Sequence, residues 1–376
     1  MTTVKKVSQW GLVTAAIMLA LILAFYSLAN AATPIVNIPC GQDIDARINA
    51  DPRGTASRFV LGADCIFTAS ATIVPSNGDE VVCAKPPTFE SPTSKIVTPA
   101  QDPTTYCTVA GPGVENVFRP IGQGGALATV RFEGIKITGG NYTGSTGSGA
   151  GIAEGSMTDA SSHYGIEVMN NEAAGVNNAK GTFERVELTN NTTNTNALGF
   201  IGSGMKATTE VEVKNSYIHE TQGNGIWCNT GCVDAPERGV NGFWVHHNLV
   251  VSNDRAGIRY ENAPQNLRSG VHAAQPTARI EDNEVHDNSA KARRGGVSIA
   301  NAQNALVQGN IFGAKTIAGV AYPANDRGEA IRATDSGRAN ITDLWNVDIE
   351  NNVLNGETIR GCELPDTVVA CTGNTP

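Results

Sequence analysis

The chain has 376 residues and a net charge of −9, with lysine and arginine scattered and no basic stripe, which argues against nucleic acid or an anionic membrane as partner. Charged residues are only 17% and glycine is 41 of 376, a balance that suits turn-rich β structure and excludes disorder.

The first 31 residues read as an export signal. Lys5 and Lys6 precede an apolar run from about Gly11 to Leu28, and Ala29-Asn30-Ala31 is a small-x-small cleavage site. The run is long enough that an uncleaved membrane anchor is the alternative, and a membrane partner is expected only in that case. Everything after Ala31 is expected outside the cytoplasm: secreted, periplasmic or at the cell surface. Eight cysteines, none in the signal, fit that oxidising address. Pairing is not readable from sequence, but locality suggests Cys40 with Cys65, Cys83 with Cys107, Cys228 with Cys232 and Cys362 with Cys371. Cys228 and Cys232 with His246 or His247 nearby could instead bind zinc; a loop staple is the preferred reading.

Residues 32–120 carry more proline and four cysteines. Ile44 and Ile48 recur at helical spacing with Asp43 placed to cap, so a short α-helix is predicted there. Arg58–Leu61 and Thr72–Val74 read as short strands, the second ended by the turn Pro75–Asp79. This segment is expected to cap an open stack and supply its first coils. Gly122-x-Gly-Gly125 is a turn rather than a phosphate loop, because it opens no recognisable helix. Gly139–Gly151, rich in glycine, serine and threonine, reads as a mobile surface linker, or alternatively as a lid.

One six-residue phrase then recurs seven times: an apolar residue, a small or polar one two places on, and an apolar one three further. Its copies are Phe132/Gly134/Ile137, Phe183/Arg185/Leu188, Val213/Asn215/Ile218, Val245/His247/Val250, Ile280/Asp282/Val285, Val307/Gly309/Phe312 and Ile349/Asn351/Leu354. Uneven spacing excludes a rigid repeat unit and suits a coil with a fixed core and variable loops. Asn248, Asn283, Asn310 and Asn352 fill one column, so they are expected to stack about 4.8 Å apart and bond side chain to side chain. A second phrase, often glycine then an apolar residue, answers the first at Gly165-Ile166, Gly225-Ile226, Gly257-Ile258, Gly296-Val297 and Ala330-Ile331. At least two strands per turn follow. Residues 121–361 are therefore predicted to be the coil, and 362–376 a disulfide-closed end.

Segments such as VEVKNSYIHETQGNGIWCN, FWVHHNLVVSNDRAGIRYEN and ARIEDNEVHDNSAKARRGGVSIAN resemble the right-handed parallel β-helix proteins, the pectate-lyase-like superfamily, over roughly residues 40 to 361. The resemblance implies an all-β, single-stranded right-handed parallel β-helix with an N-terminal cap, and it does not select a chemistry. The chain lacks the Asn-Thr-Asp, Asp-Asp, Gly-His-Gly and Arg-Ile-Lys set of polygalacturonases, the Arg-x-Pro-x-x-Arg of pectate lyases and the Asp-Pro-His-Asp of mannuronan epimerases. Calcium, common in that superfamily, would have Asp254, Asp282, Glu284 and Asp287 as its nearest ligands, without the spacing of a known loop.

A packed coil leaves function to its outer faces. Aligning the glycine-apolar strands puts Glu167, Trp227, Arg259, Ser298 and Arg332 in one outward column, with an exposed Trp227 beside Arg259 as platform for a sugar ring and its carboxylate. His219-Glu220 recurs as His286-Asp287, two rungs apart. Lysis or epimerisation of a uronate needs a base, a cation on the carboxylate and an acid for the leaving oxygen. His219, Arg259 and Glu261 are the candidates; Glu220 and Asp254 could instead act as the paired acids of a hydrolase. Trp227, His286 and Arg332 are the candidate substrate-binding residues. The expectation is a monomeric, exported, carbohydrate-active protein acting lyase-like on an acidic polysaccharide. The alternative is a non-catalytic extracellular glycan- or protein-binding β-helix.

Overall fold

The computed structural model describes residues 33–52, 55–86, 107–121, 129–145, 147–154, 161–199, 203–229, 232, 242–261, 278–288, 295–300, 303–334, 345–365 and 369–376. The predicted signal and the Gly122-x-Gly-Gly125 turn lie outside the described residues. Among those residues no helix is long and apolar enough to cross a membrane.

The described strands stack on three faces, and in the last coils the second face is held by isolated bridges at Ile311, Val353 and Thr375. On the first, Phe243–His246 pairs in parallel with Ala278–Glu281, which pairs with Gln303–Gln308. On the second, Tyr217–His219 pairs with Leu249–Val251 and that with Glu284–His286. On the third, Asn224–Asn229 pairs with Ile258–Glu261, Val297–Ala300 and Glu329–Thr334 in turn. The second face is an eight-stranded sheet. The other two merge into one of eighteen strands, because Val176–Glu184 and Ser203–Lys214 run through both without a break. This is the right-handed parallel β-helix that the sequence predicts, with three strands per coil. Phe132, Phe183, Val213, Val245, Ile280, Val307 and Ile349 all point inward with no exposed surface, so the recurring phrase marks the core.

The small or polar residue in the middle of the phrase takes left-handed backbone, as at Asn215, His247, Asp282 and Asn351, and turns the chain from the first face to the second. The asparagine that follows is the predicted ladder: Asn248 Nδ2 donates to Asn283 Oδ1 at 3.0 Å, Asn283 to Asn310 at 2.9 Å and Asn310 to Asn352 at 3.0 Å. A second ladder lies at the next corner, where Asn253 donates to Asn288 at 2.9 Å and Asn288 to Asn325 at 3.2 Å, and Asn325 ends against Glu357.

The third face begins with glycine for a steric reason. A Cβ on Gly225 would sit 2.5 Å from the Gly257 carbonyl and 3.0 Å from Asn253 Nδ2 of the second ladder. Gly225→Ala should therefore push two coils apart and cost about 2–3 kcal/mol in urea titration, since backbone cannot yield as a side-chain tip can; an unchanged midpoint would contradict this packing.

Two expectations are corrected here. Gly165-Ile166 leads into Glu167–Met169, which pairs with Ile135–Gly140 and Glu187–Thr189 on the second face, so Glu167 is not in the Trp227 column. Its place there is taken by the Val176–Glu184 strand, whose Asn177 is opposite Lys206. Gly139–Gly151 is not a loose linker throughout: Thr143–Ser145 are exposed, but the end of the segment is packed. Ser148, Gly149 and Ala150 are buried, Ser148 Oγ donates to Ser145 O at 2.8 Å, and Tyr142 packs on Ala173, Ala174 and Ala197.

At the N-terminal end the helix Ile44–Asn49 forms as predicted, with Asp43 Oδ1 accepting from the Ala46 amide at 3.0 Å, and its Ile44 and Ile48 join the core. The four disulfides pair as locality suggests. Because Cys228 and Cys232 are joined to each other, neither is a thiolate ligand for zinc. Beyond Cys362, Val369–Thr372 still pairs with Trp345–Glu350, so the coil continues through the closed end.

Candidate functional site

The third face carries the outward column Asn177, Lys206, Trp227, Arg259, Ser298, Arg332 and Arg360, each residue opposite the next in strand register. Trp227 and Arg259 are neighbours as expected. Trp227, however, is not an exposed platform: it is only 9% exposed, and Lys206 Nζ lies 5.7 Å and the Arg259 guanidinium carbon 5.2 Å from its ring centroid. Two neighbouring cations thus occupy the quadrupole that a sugar ring would need. At the ring edge, Nε1 is buried with no hydrogen-bond partner. Asn177 Oδ1, two rungs away across Lys206, is likewise buried and unpartnered.

The cations of this column are braced. Arg259 pairs with Glu261 on its own strand, and Arg332 and Arg360 approach Glu329 at 3.5 and 3.9 Å. Burial pushes the Lys206 amine below the usual lysine range, as expected for a cation withdrawn from water.

His219 and His286 lie elsewhere, on the second face. There His219 Nε2 sits 3.0 Å from Glu187 Oε1 and Nδ1 3.3 Å from Thr189 Oγ1, with the ring stacked 3.9 Å from Tyr217. The same face holds Glu167, whose carboxyl is pushed up by burial although Lys136 contacts it at 3.0 Å. The Tyr217 hydroxyl meets Tyr322 at 3.2 Å, from a hairpin of Lys315–Ile317 and Val320–Tyr322 that covers Leu249 and Val251.

His286 is two rungs from His219, as predicted, but it has no exposed surface and Nδ1 donates to the Gly313 carbonyl at 2.6 Å. It is a packing residue rather than a substrate contact. Glu220 occupies the left-handed corner beside His219, and Asp254 lies in the turn after the corresponding corner of the next coil, its amide on the Thr221 carbonyl. The sequence thus brings Trp227, Arg259, Glu261 and Arg332 together, and separates them by a corner from His219.

Sequence reasoning missed Lys206 and Asn177. The signal was Gly204-Met205, a further copy of the glycine-apolar phrase, hidden inside the twelve-residue strand Ser203–Lys214. It also missed a chain on the first face. Glu212 Oε1 lies 3.2 Å from His246 Nε2, His246 Nδ1 lies 2.8 Å from His247 Nδ1, and Trp244 Nε1 donates to Glu281 at 2.8 Å.

Of the acids named for calcium, Glu284 is held by Lys315 at 2.7 Å and Asp287 accepts from Ser252 at 2.7 Å. Asp282 faces His247 at 3.7 Å. Among the described residues no group of three or more histidines, cysteines or acids is arranged to hold a metal.

No protein-family model and no curated protein sequence matches the chain. Among solved structures, it is similar to two mannuronan C-5 epimerase A-modules from Azotobacter vinelandii. AlgE6 has 13% identity, 93% of this chain and 91% of that one covered, and a TM-score of 0.45; AlgE4 has 12%, 89%, 91% and 0.46. An alginate lyase from Paenibacillus sp. str. FPU-7 has 12% identity, 92% and 95% covered, and a TM-score of 0.42.

Proposed function

We propose that this chain is an exported carbohydrate-active β-helix protein that acts, lyase-like, on an acidic polysaccharide lying along its third face. The observation that carries this reading is the column of Lys206, Arg259, Arg332 and Arg360, cations that follow the coil axis at steps of two, two and one rungs. A linear polymer bearing a carboxylate on its sugars is the ligand whose charges repeat along such a line. Four disulfides support an address outside the cytoplasm.

In the catalytic reading Arg259 neutralises the carboxylate beside the acidic C–H; Glu261, already paired with Arg259, takes that proton, a C=C bond forms as the C–O bond to the neighbouring sugar breaks, and Glu261 returns the proton to the leaving oxygen. The test is a panel of alginates, pectins and glycosaminoglycans followed by absorbance of unsaturated uronates. Expected is signal on at least one of them, with turnover reduced at least a hundredfold in Arg259→Ala; silence across the panel with no reducing ends released would refute lysis.

One observation favours the second reading, a binding protein without turnover. The base expected from the sequence, His219, sits on a different sheet from Arg259, with both ring nitrogens near Glu187 and Thr189. That reading predicts retardation in a polysaccharide gel with no product formed.

A further inference from the structure

We infer that Lys206, Trp227 and Asn177 form a carboxylate subsite separate from Arg259, so that the protein grips two acidic sugars of one chain at once; this deepens the acidic-polysaccharide reading and rests on it. Three observations converge. Trp227 Nε1 and Asn177 Oδ1 are a donor and an acceptor, each more than nine-tenths buried and each without a partner. An unpaired polar atom in such a place is costly unless something fills its valence. They stand on the two rungs flanking Lys206, whose ammonium is itself withdrawn from water. A carboxylate is the group that takes hydrogen bonds from an indole N–H and an ammonium together, while a hydroxyl on the same sugar can donate to Asn177 Oδ1.

The geometry sets this subsite apart from Arg259. The indole ring stands between the two cations, with Lys206 on the rung before it and Arg259 on the rung after, so they are two rungs, or about 9.6 Å, apart. In an extended chain whose neighbouring rings are turned by roughly half a turn, carboxylates on the same side recur at every second sugar. The tryptophan therefore spaces two cations to match alternate sugars and adds its N–H to the first of them.

Affinity electrophoresis of the intact protein tests this, through gels of alginate, polygalacturonate and hyaluronan, each native and carboxyl-reduced. The variants are Trp227→Phe, which keeps the ring and removes the N–H, Lys206→Met, Arg259→Met and the double Lys206→Met/Arg259→Met, each checked for unchanged circular dichroism. Retardation of the wild type by a native polymer should be lost on carboxyl reduction. Trp227→Phe and Lys206→Met should each weaken it about tenfold, the scale of a hydrogen bond to a charged group. The double variant should be weaker than Arg259→Met alone by about the same factor, because contacts to separate carboxylates contribute independently. If folded Trp227→Phe and Lys206→Met run as the wild type does, or the double variant equals Arg259→Met, the second subsite is refuted while the polysaccharide reading stands. If the wild type passes every native gel unretarded, that reading fails, and the subsite with it.

Discussion

Asn283→Ala should destabilise its region of the coil by about 4 kcal/mol, more than an ordinary surface or loop substitution. The side chain is fully buried and fully used: Oδ1 accepts from the Asn248 amide at 3.1 Å and from Asn248 Nδ2 at 3.0 Å, while Nδ2 donates to Val245 O and to Asn310 Oδ1, both at 2.9 Å. Alanine leaves two donors and two acceptors one bond short in a dry corner. Asn248 Nδ2 keeps Val213 O at 2.9 Å and Asn310 Oδ1 keeps the Asn283 amide at 3.0 Å, so the loss falls chiefly on the Asn248 amide and the Val245 carbonyl, and each buried group left unpaired costs about 1–3 kcal/mol. Bonds in a chain also polarise one another, so the neighbours at Asn248 and Asn310 weaken as well. Asn374→Ala, at the partly buried end of the same ladder, should cost about 1 kcal/mol, because water can replace its bonds. Stacked coils need not unfold in one step, so the readout is hydrogen exchange at the Asn248 and Asn283 amides alongside the urea midpoint. Wild-type protection at those amides in Asn283→Ala would show that the ladder does not hold the coils in register.

That ladder was legible because Asn248, Asn283, Asn310 and Asn352 each follow a left-handed residue at a fixed distance from buried residues on both sides. The second ladder was not. Thr221 interrupts it between Asn191 and Asn253, Glu357 stands at its end, and between Asn288 and Asn325 the chain inserts the hairpin that covers Leu249 and Val251. An insertion changes the spacing without changing the stack, so no fixed period points to it.

The site shows the same division. Trp227 opposite Arg259, then Ser298 and Arg332, followed from the small residue, Gly225, Gly257, Gly296 and then Ala330, that precedes the buried residue of each third-face strand. Placing His219 beside Arg259 failed for a geometric reason: repetition along the chain tells which residues stack, and does not tell on which of three faces they stack. Glu167 went astray the same way, since Gly165, with left-handed backbone, serves the first corner rather than the third face. Lys206 was hidden because Ser203–Lys214 passes from the third face to the first with no turn residue to mark the passage.

The second large effect is expected inside the coil, where His163 replaces an aromatic in a stack of them. Its ring lies 5.1 Å from Phe132 and 4.4 Å from Phe183, and Nε2 sits 3.2 Å from Glu154 Oε1, with neither side chain exposed at all. Glu154 Oε2 also accepts from the Lys180 amide at 2.7 Å, so the carboxylate ties the end of one third-face strand to the next coil. His163→Phe would extend the apolar stack yet leave that carboxylate facing a benzene ring. Removing one partner of a buried pair typically costs about 3–5 kcal/mol, because the remaining charge is stranded without water. The double variant His163→Phe/Glu154→Gln keeps a carbonyl for the Lys180 amide and removes the charge, so it should recover more than half of the loss in urea titration. Two outcomes would count against this account. If His163→Phe alone matched the wild type, Glu154 would not depend on the imidazole. If the double variant were no better than the single, the cost would come from the size of the ring rather than from the stranded carboxylate.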